Sequence, residues 1–213
     1  MRPPYDAIAA SEALAKADPR LGGWVARVGP PALAIRPAET FAALLRSIVY
    51  QQLSTKAAAT IHRRVLDAFG RDGDPEAGRI AEAADEDLRA CGLSRAKTAA
   101  VKDLAGRHLD RTLPSRDQLL EMTDADVIEA LTAVRGVGPW TAQMVLLFNL
   151  GRPDVWPTTD LGVQEGYRII AGLDERPGPR DLAAMGEPYA PWRSVAAWYG
   201  WRAVHVTRGD ELG

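Results

Sequence analysis

Residues 134–142 read V-R-G-V-G-P-W-T-A, and the two glycines indicate a tight turn whose backbone comes close to another group. Glycine lets the backbone turn with φ > 0 and leaves neighbouring N–H groups uncovered. Pro139 suits the first turn of a helix, where the N–H groups have no partner within the helix. Phosphate is the natural ligand of such donors. The stretch predicts a helix-hairpin-helix that grips a nucleic-acid backbone without reading its sequence. The alternative is a tight turn between helices that binds nothing.

A candidate catalytic carboxylate follows 22 residues after Gly138. Asp160 stands in V-W-P-T-T-D-L-G-V, residues 155–163. With Thr159 as the N-cap, Asp160 would lie in the first turn of a helix, where the dipole and the N–H groups favour an ionised carboxylate. Such a carboxylate can stabilise a developing cation. The alternative is that Thr-Asp only makes a good helix start.

Helical periodicity dominates the chain, so helices must position both stretches. In 41–54 the apolar residues recur at spacings of three, four and seven. The other predicted helices are 55–69 after Ser54, 95–109 after Ser94, 124–134 opened by Thr123 or Asp124, 139–149, 160–171 and 191–206. Alternating strand patterns are nearly absent. The sequence therefore predicts an all-α protein of about ten helices.

Composition narrows the class of protein. The chain has 213 residues, 46% hydrophobic and 25% charged, as in ordinary soluble globular proteins. The net charge of −2 argues against a protein wrapped in nucleic acid, but it leaves room for a local basic face. No apolar run approaches the roughly 18 residues of a membrane span, and no secretory signal is evident, so we expect a cytoplasmic protein. The single Cys91 excludes an internal disulfide and an iron–sulfur cluster, and three scattered histidines make no metal site.

Several stretches together resemble the helix-hairpin-helix base-excision DNA glycosylases, most closely the DNA-3-methyladenine glycosylase II family. They are L-T-A-V-R-G-V-G-P-W-T-A followed by P-T-T-D, S-I-V-Y-Q-Q-L-S-T-K-A-A (47–58), G-L-S-R-A-K (92–97) and P-W-R-S (191–194). The likeness covers roughly residues 38–205. It implies two helical lobes with a cleft between them, one formed by 1–39 plus 156–213 and the other by 40–155. With fewer than 40 residues before Phe41, the chain resembles the compact branch, which lacks the N-terminal β-rich domain of larger members.

The resemblance implies an enzyme that flips a damaged base out of double-stranded DNA and hydrolyses its N-glycosidic bond. Asp160 matches the family's catalytic aspartate, which would stabilise the oxocarbenium-like sugar and orient or activate a water. Where bifunctional relatives have a lysine nucleophile, this chain has Trp140, so the resemblance implies a glycosylase without lyase activity that leaves an abasic site. The implied substrates are alkylated purines, chiefly 3-methyladenine and also 7-methylguanine. A non-catalytic DNA-binding module and a glycosylase for deaminated or oxidised bases remain as alternatives.

The resemblance also assigns residues to the damaged base. Trp140 and Trp201 match aromatic pocket positions, where a cationic alkylated purine can stack through cation–π contacts. Met144 stands where larger relatives have a pocket tyrosine, which is a departure that affects substrate range. Gln52, or second Leu53, would wedge into the duplex and fill the space of the flipped base.

The remaining implied contacts lie at the hairpin and around it. The positions that match DNA-backbone contacts are Gly136, Val137, Gly138 and Thr141. The backbone carbonyls of Thr132, Val134 and Val137 match a site for a structural Na⁺ or K⁺ in this family. No other cofactor is expected, and we expect a monomer with no membrane partner. Basic residues expected to rim the DNA face are Lys56, Lys97, Arg135 and Arg152.

Overall fold

The computed structural model describes residues 1–209, and α-helices dominate them. The helices are α1 (Ala7–Ala17), α2 (Pro19–Val28), α3 (Thr40–Tyr50), α4 (Thr55–Phe69), α5 (Ala77–Glu82), α6 (Asp85–Ala90), α7 (Arg95–Leu109), α8 (Arg116–Glu121), α9 (Asp124–Thr132), α10 (Pro139–Val145), α11 (Leu161–Ala171), α12 (Pro179–Met185) and α13 (Arg193–Arg208). A π-helical turn spans Leu146–Leu150 and a 3₁₀ turn spans Glu187–Tyr189. Within residues 1–209, no helix is both long and apolar enough to cross a bilayer.

The structure adds elements that the sequence pattern does not predict. Helices α5, α6 and α8 have six residues each, too few to show a helical repeat. Two-residue strands β1 (Gly70–Arg71) and β2 (Asp74–Pro75) pair antiparallel around Asp72 and Gly73, both with positive φ. Asp-Gly is a hairpin signal, but strands this short carry no alternating pattern. The all-α prediction is therefore correct apart from one minimal hairpin in the described residues.

The chain divides into two compact units. The first unit contains Met1–Arg36 and the chain from Leu146 onward; the second contains Pro37–Val145. The segment 146–155, which the sequence places with the hairpin, belongs to the first unit. The reason is hydrogen bonding: the N–H of Arg36 donates to the carbonyl of Phe148 at 2.7 Å, and the hydroxyl of Ser194 donates to the carbonyl of Arg152 at 2.6 Å.

The core of the first unit packs α11 against α13 and contains the buried rings of Trp156, Tyr167, Tyr189 and Tyr199 among aliphatic side chains. The two helices approach so closely that a Cβ on Gly166 would overlap the backbone of Gly200. Tyr167 is fully buried, and its hydroxyl donates to the carbonyl of Ala196 at 3.1 Å. The indole of Trp156 donates to the carbonyl of Leu182 at 2.7 Å. Large buried side chains contribute roughly 1.5–3 kcal/mol each, so this packing stabilises the two helices that carry Asp160 and Trp201.

The second unit confirms the predicted apolar face of α3 and moves the end of that helix. The buried face consists of Phe41, Leu44, Leu45, Ile48 and Val49. The sequence predicts a helix through residue 54, but α3 ends at Tyr50 because Gln51 is extended and Gln52 has a φ of +56°. Leu53 therefore leaves the apolar face and is 41% exposed.

Three predicted helix starts are confirmed by side-chain capping. The hydroxyls of Ser54, Ser94 and Thr123 accept the N–H groups of Ala57, Lys97 and Asp126, respectively. Each bond satisfies one of the first unpaired N–H groups of a helix, which contributes about 1 kcal/mol. The predicted helix 139–149 begins at Pro139 as expected, but only Pro139–Val145 is α-helical before the π-helical turn.

Candidate active site and nucleic-acid interface

Asp160 is itself the N-cap of α11, which corrects the prediction that Thr159 caps this helix. Its Oδ1 accepts the N–H of Val163 at 2.8 Å, and its carbonyl accepts the N–H of Gln164 at 2.9 Å. Asp and Thr are both good N-caps, so local sequence does not choose between them. The carboxylate still lies at the positive end of the helix dipole, as the sequence predicts.

Trp201 holds the same carboxylate oxygen from α13. Its indole N–H donates to Oδ1 of Asp160 at 2.8 Å, so this oxygen accepts two N–H groups. Asp160 is only 9% exposed. A Cβ on Gly162 would lie 2.7 Å from Cδ1 of Trp201 and 3.1 Å from Oδ1, so only glycine fits there. The resemblance predicts Trp201 as an aromatic ring of the base pocket, and in the structure its ring lies 5.7 Å from that of Phe148. The sequence does not predict the hydrogen bond from Trp201 to Asp160 or the need for glycine at position 162.

The P-W-R-S stretch anchors the segment that leads to Asp160. The guanidinium of Arg193 donates to both carboxylate oxygens of Asp154, at 2.7 and 2.6 Å. These hydrogen bonds hold the pKa of Asp154 below its ordinary value. The hydroxyl of Ser194 donates to the carbonyl of Arg152 and accepts the N–H of Val155 at 2.9 Å. Helix α13 thus holds residues 152–155 at its start and Asp160 further along.

The hairpin uses its two glycines for different reasons. Gly136 has a φ of +77°, and a Cβ there would lie 3.2 Å from Cβ of Ala100. Gly138 lies outside the left-handed region, and a Cβ there would meet nothing within 4 Å. Val137 is buried, and its N–H donates to the carbonyl of Val134 at 3.1 Å. The exposed backbone at both glycines suits phosphate binding, and the buried Val137 side chain holds the hairpin against the rest of the unit.

Arg135 fastens the hairpin to α7. Its backbone N–H donates to Oδ2 of Asp103 at 2.8 Å, and the side chain of Arg107 donates to the same oxygen at 2.9 Å. Burial raises the pKa of Asp103, but these hydrogen bonds outweigh it and leave the pKa below its ordinary value. The Arg135 side chain is exposed, as a residue at the rim of a DNA surface must be.

The sequence predicts Lys97 at the rim of a DNA-binding surface, but in the structure its side chain bonds to the end of α3. Its Nζ donates to the carbonyls of Val49 and Gln51, at 2.7 and 2.8 Å. Burial lowers the pKa of Lys97. The side chain of Gln51 donates to the carbonyl of Gly136 at 3.0 Å, while Gln52 is exposed. The turn that carries the candidate wedge is therefore bonded to both α7 and the hairpin.

Part of the predicted site lines one cavity in the second unit. This cavity has a volume of about 460 Å³, and its lining residues are Arg46, Ser47, Tyr50, Gln51, Gln52, Trp140, Thr141 and Met144. Trp140 is 41% exposed, and Thr141 is 3% exposed at the base of the hairpin. The Arg46 guanidinium lies 4.2 Å above the ring of Tyr50, a wall that the sequence did not predict. Asp160 and Trp201 belong to the first unit.

The ligands by which the hairpin could hold a metal ion are backbone carbonyl oxygens. Among residues 1–209, no group of three His, Cys, Asp or Glu side chains could hold a metal ion. Backbone carbonyls suit a hard monovalent cation, and that of Val134 already accepts one N–H, which leaves one lone pair. The carbonyls of Thr132, Val134 and Val137 thus fit Na⁺ or K⁺ by their chemistry.

Comparisons with known proteins establish the family. The profile of the HhH-GPD superfamily base excision DNA repair proteins matches residues 45–191, more than half of the chain, and the protein belongs to this superfamily. It is 34% identical over 164 residues to DNA-3-methyladenine glycosylase 1 of Schizosaccharomyces pombe, covering 77% of this chain and 72% of that protein.

Two solved structures share the fold. The 3-methyladenine DNA glycosylase of S. pombe, in complex with abasic DNA, matches with a TM-score of 0.83 and 30% identity over 96% of this chain and 100% of that chain. DNA-3-methyladenine glycosidase of Bacillus halodurans matches with a TM-score of 0.85 and 32% identity over 99% and 95% of the two chains.

Proposed function

We propose that this member of the HhH-GPD superfamily is a monofunctional DNA glycosylase that excises alkylated purines, chiefly 3-methyladenine and also 7-methylguanine, from double-stranded DNA. The observation that carries the proposal is the carboxylate of Asp160, which two N–H donors hold at a helix N-terminus. A helix-hairpin-helix that only bound DNA would need no such group. The relatives named 3-methyladenine glycosylases support the substrate class.

The chemistry follows from a fixed negative charge. As the bond between C1′ and the base nitrogen breaks, its electron pair leaves with the base and the sugar becomes an oxocarbenium-like cation. An N3- or N7-alkylated purine is already cationic, so it departs as a neutral base without prior protonation. Asp160 stabilises the sugar cation and orients the water whose oxygen bonds to C1′, and the carboxylate takes up the proton that this water loses. Because Val163 and Trp201 already hold the carboxylate, it needs no reorganisation during the reaction.

The second unit supplies the grip and the space for the base. The backbone N–H groups of the exposed Gly136 and Gly138 bind backbone phosphates, with the buried Val137 holding the hairpin between them and Thr141 behind it. Gln52, with Leu53 beside it, fills the duplex where the damaged nucleotide is flipped out.

The cavity lined by Trp140 and Met144 accepts the base. The exposed Trp140 ring stacks on a cationic purine, a contact of about 0.5–2 kcal/mol. We also propose that Trp201 of the first unit, whose indole N–H donates to Asp160, is a second ring that contacts the damaged base.

The product is an abasic site with an intact strand. Trp140 occupies the position of the lysine nucleophile of bifunctional relatives, and an indole cannot form a Schiff base. Na⁺ or K⁺ at the carbonyls of Thr132, Val134 and Val137 would stiffen the hairpin and offset phosphate charge. We further propose that the protein acts as a monomer, because the carboxylate, the hairpin and the cavity all belong to a single chain. We also propose a cytoplasmic location.

Base release from methylated duplex DNA tests the proposal with a matched pair of variants. Asp160→Asn should release 3-methyladenine about 10²–10³ times more slowly than wild type, because a neutral amide stabilises a cation poorly. Asp6→Asn makes the same change at the N-cap of α1, where Asp6 accepts the N–H groups of Ile8 and Ala9, and should leave the rate unchanged. Both variants should fold, because Asn also caps helices well.

Other outcomes separate the alternatives. Binding of duplex DNA by wild type without release of any base would identify a non-catalytic module. Release of deaminated or oxidised bases, but no methylated purine, would show that the enzyme acts on a different class of lesion. Strand cleavage without added base or heat would contradict the monofunctional assignment.

A further inference from the structure

The turn after α3 carries an unfavourable backbone conformation at an exposed residue. Gln52 has a φ of +56°, in the left-handed region that residues with a Cβ rarely adopt. Its neighbours Gln51 and Leu53 offer no glycine that could take the turn more easily. A conformation of this kind persists only when surrounding contacts impose it. The question is which contacts hold Gln52 in place.

Lys97 supplies the donors that the end of α3 lacks. The last carbonyls of a helix have no partners within it, and the last turn of α3 contains no basic residue. The ammonium group of Lys97 reaches across from α7 to the carbonyls of Val49 and Gln51, at 2.7 and 2.8 Å. These two bonds flank Tyr50 and set the direction in which the chain enters the turn.

The position of Lys97 in its own helix indicates that it serves the turn. It lies in the first turn of α7, where the N-cap Ser94 accepts its backbone N–H at 3.3 Å. A positive charge there opposes the helix dipole, and burial lowers the pKa of Lys97. Neither effect stabilises α7, whereas both bonds to the carbonyls stabilise the turn.

Gln51 joins the turn to the hairpin. Its Nε2 donates to the carbonyl of Gly136 at 3.0 Å, across 85 positions of the sequence. Gly136 has positive φ, so the bond connects the residue before Gln52 to the point where the hairpin backbone turns. Gln51 and Gln52 also line the cavity with Trp140.

We propose that Lys97 is a positioning residue that, together with Gln51, braces the Gln52 turn against the phosphate-binding hairpin. The inference rests on the proposed function, because it gives the turn its role in base flipping. The brace keeps Gln52 ready to enter the duplex at a fixed distance from the gripped phosphates. Loss of the brace therefore impairs flipping of a paired base and leaves the chemistry on an unpaired base intact.

The test compares single-turnover base release from two duplexes that contain the same methylated purine. In one the lesion is paired, and in the other it lies opposite an abasic site, where flipping costs less. Lys97→Met should slow release from the paired duplex roughly ten- to a hundredfold, the cost of misplacing a group by about 1 Å, and barely affect the unpaired one. Lys97→Arg, which keeps the charge and the donors, should restore most of the rate.

Matched variants control for stability. Lys102→Met makes the same change on α7, where Lys102 pairs with Asp85 at the surface, and should affect neither duplex. Gln51→Met leaves Lys97 in place, removes the bond to Gly136 and should show the same loss confined to the paired duplex. The double variant Lys97→Met/Gln52→Ala should be no slower than Gln52→Ala alone, because both changes remove one function.

The outcomes separate the brace from the function on which it rests. If wild type releases no methylated purine, the proposed function fails. If wild type is active but Lys97→Met slows both duplexes equally, or no more than Lys102→Met, the brace is wrong and the glycosylase assignment stands. An unaffected Gln52→Ala variant would likewise overturn the brace, since the turn would then have no wedge to position.

Discussion

In the first unit, Asp160 is 9% exposed and accepts hydrogen bonds from Val163 and Trp201, whereas in the second unit Trp140 is 41% exposed beside a hairpin held by its backbone. Under the proposed function, the difference follows from what each unit has to do. A carboxylate that stabilises a transition state must be fixed before the reaction, which requires buried side-chain partners. A surface that binds DNA phosphates must present donors to solvent, so the contacts that hold it in place lie on the side that faces the protein.

The two units therefore tolerate change differently. If Asp160 is the catalytic carboxylate that we propose, a single methyl group added beside it should displace it, and the loss should appear in the rate. If the hairpin binds phosphates as we propose, a change in its backbone conformation should remove N–H donors from them, and the loss should appear in DNA affinity. Two of the following three variants test this separation of rate from affinity, and the third tests how the segment before Asp160 is held in the first unit.

The largest effect is expected from Gly162→Ala. The new Cβ would lie 2.7 Å from Cδ1 of Trp201, so either the indole or the carboxylate of Asp160 must move. Base release should fall about 100-fold with unchanged DNA affinity, because displacement by about 1 Å can cost that much. Gly23→Ala in α2 is the control, since a Cβ there meets nothing within 4 Å. A variant with the wild-type rate would show that the close packing is not needed for catalysis.

A smaller effect, on affinity, is expected from Gly136→Ala. Its φ of +77° and the 3.2 Å approach to Ala100 force the hairpin to shift. Duplex affinity, measured by fluorescence anisotropy, should weaken about tenfold, and unfolding should become about 1–3 kcal/mol easier. Gly73→Ala has the same positive-φ problem in the β1–β2 turn and should lose stability without losing affinity. Equal loss of affinity in both variants would contradict a specific role for the hairpin.

The smallest effect is expected from Asp154→Asn, and it depends on pH. Hydrogen bonds from Arg193 hold the pKa of Asp154 below its ordinary value in the folded state. The stabilisation is therefore fully present above the unfolded-state pKa of about 3.9 and is lost as pH falls through the lower folded pKa. At pH 7 the variant should unfold about 1–2 kcal/mol more easily than wild type, an intermediate value because both groups are about one-third exposed.

Chemical denaturation between pH 2.5 and pH 7 measures this difference. The gap between wild type and Asp154→Asn should narrow below about pH 4. The exposed Glu12→Gln is the control for loss of one carboxylate in the same unit. A gap that stays constant with pH would mean that Asp154 stabilises the segment by packing and not by its charge.

Much of the fold follows from local sequence, because neighbouring residues encode it. Ser54, Ser94 and Thr123 cap the helices that they precede, and the apolar face of α3 is buried as its spacing predicts. The resemblance of the motifs to a known family likewise named the superfamily, which the profile match shows.

Tertiary structure decided the contacts that join distant positions. Trp201 donates to Asp160 across 41 positions, and Lys97 reaches Val49 across 48. The choice of Asp160 over Thr159 as the N-cap has the same origin. Thr159 and Asp160 both suit an N-cap position. Asp160 is the residue that caps α11, and the indole of Trp201 donates to its carboxylate. Spacing along the chain specifies periodic faces and helix ends, since these depend on neighbours, but a hydrogen bond between remote side chains exists only once packing has brought them together.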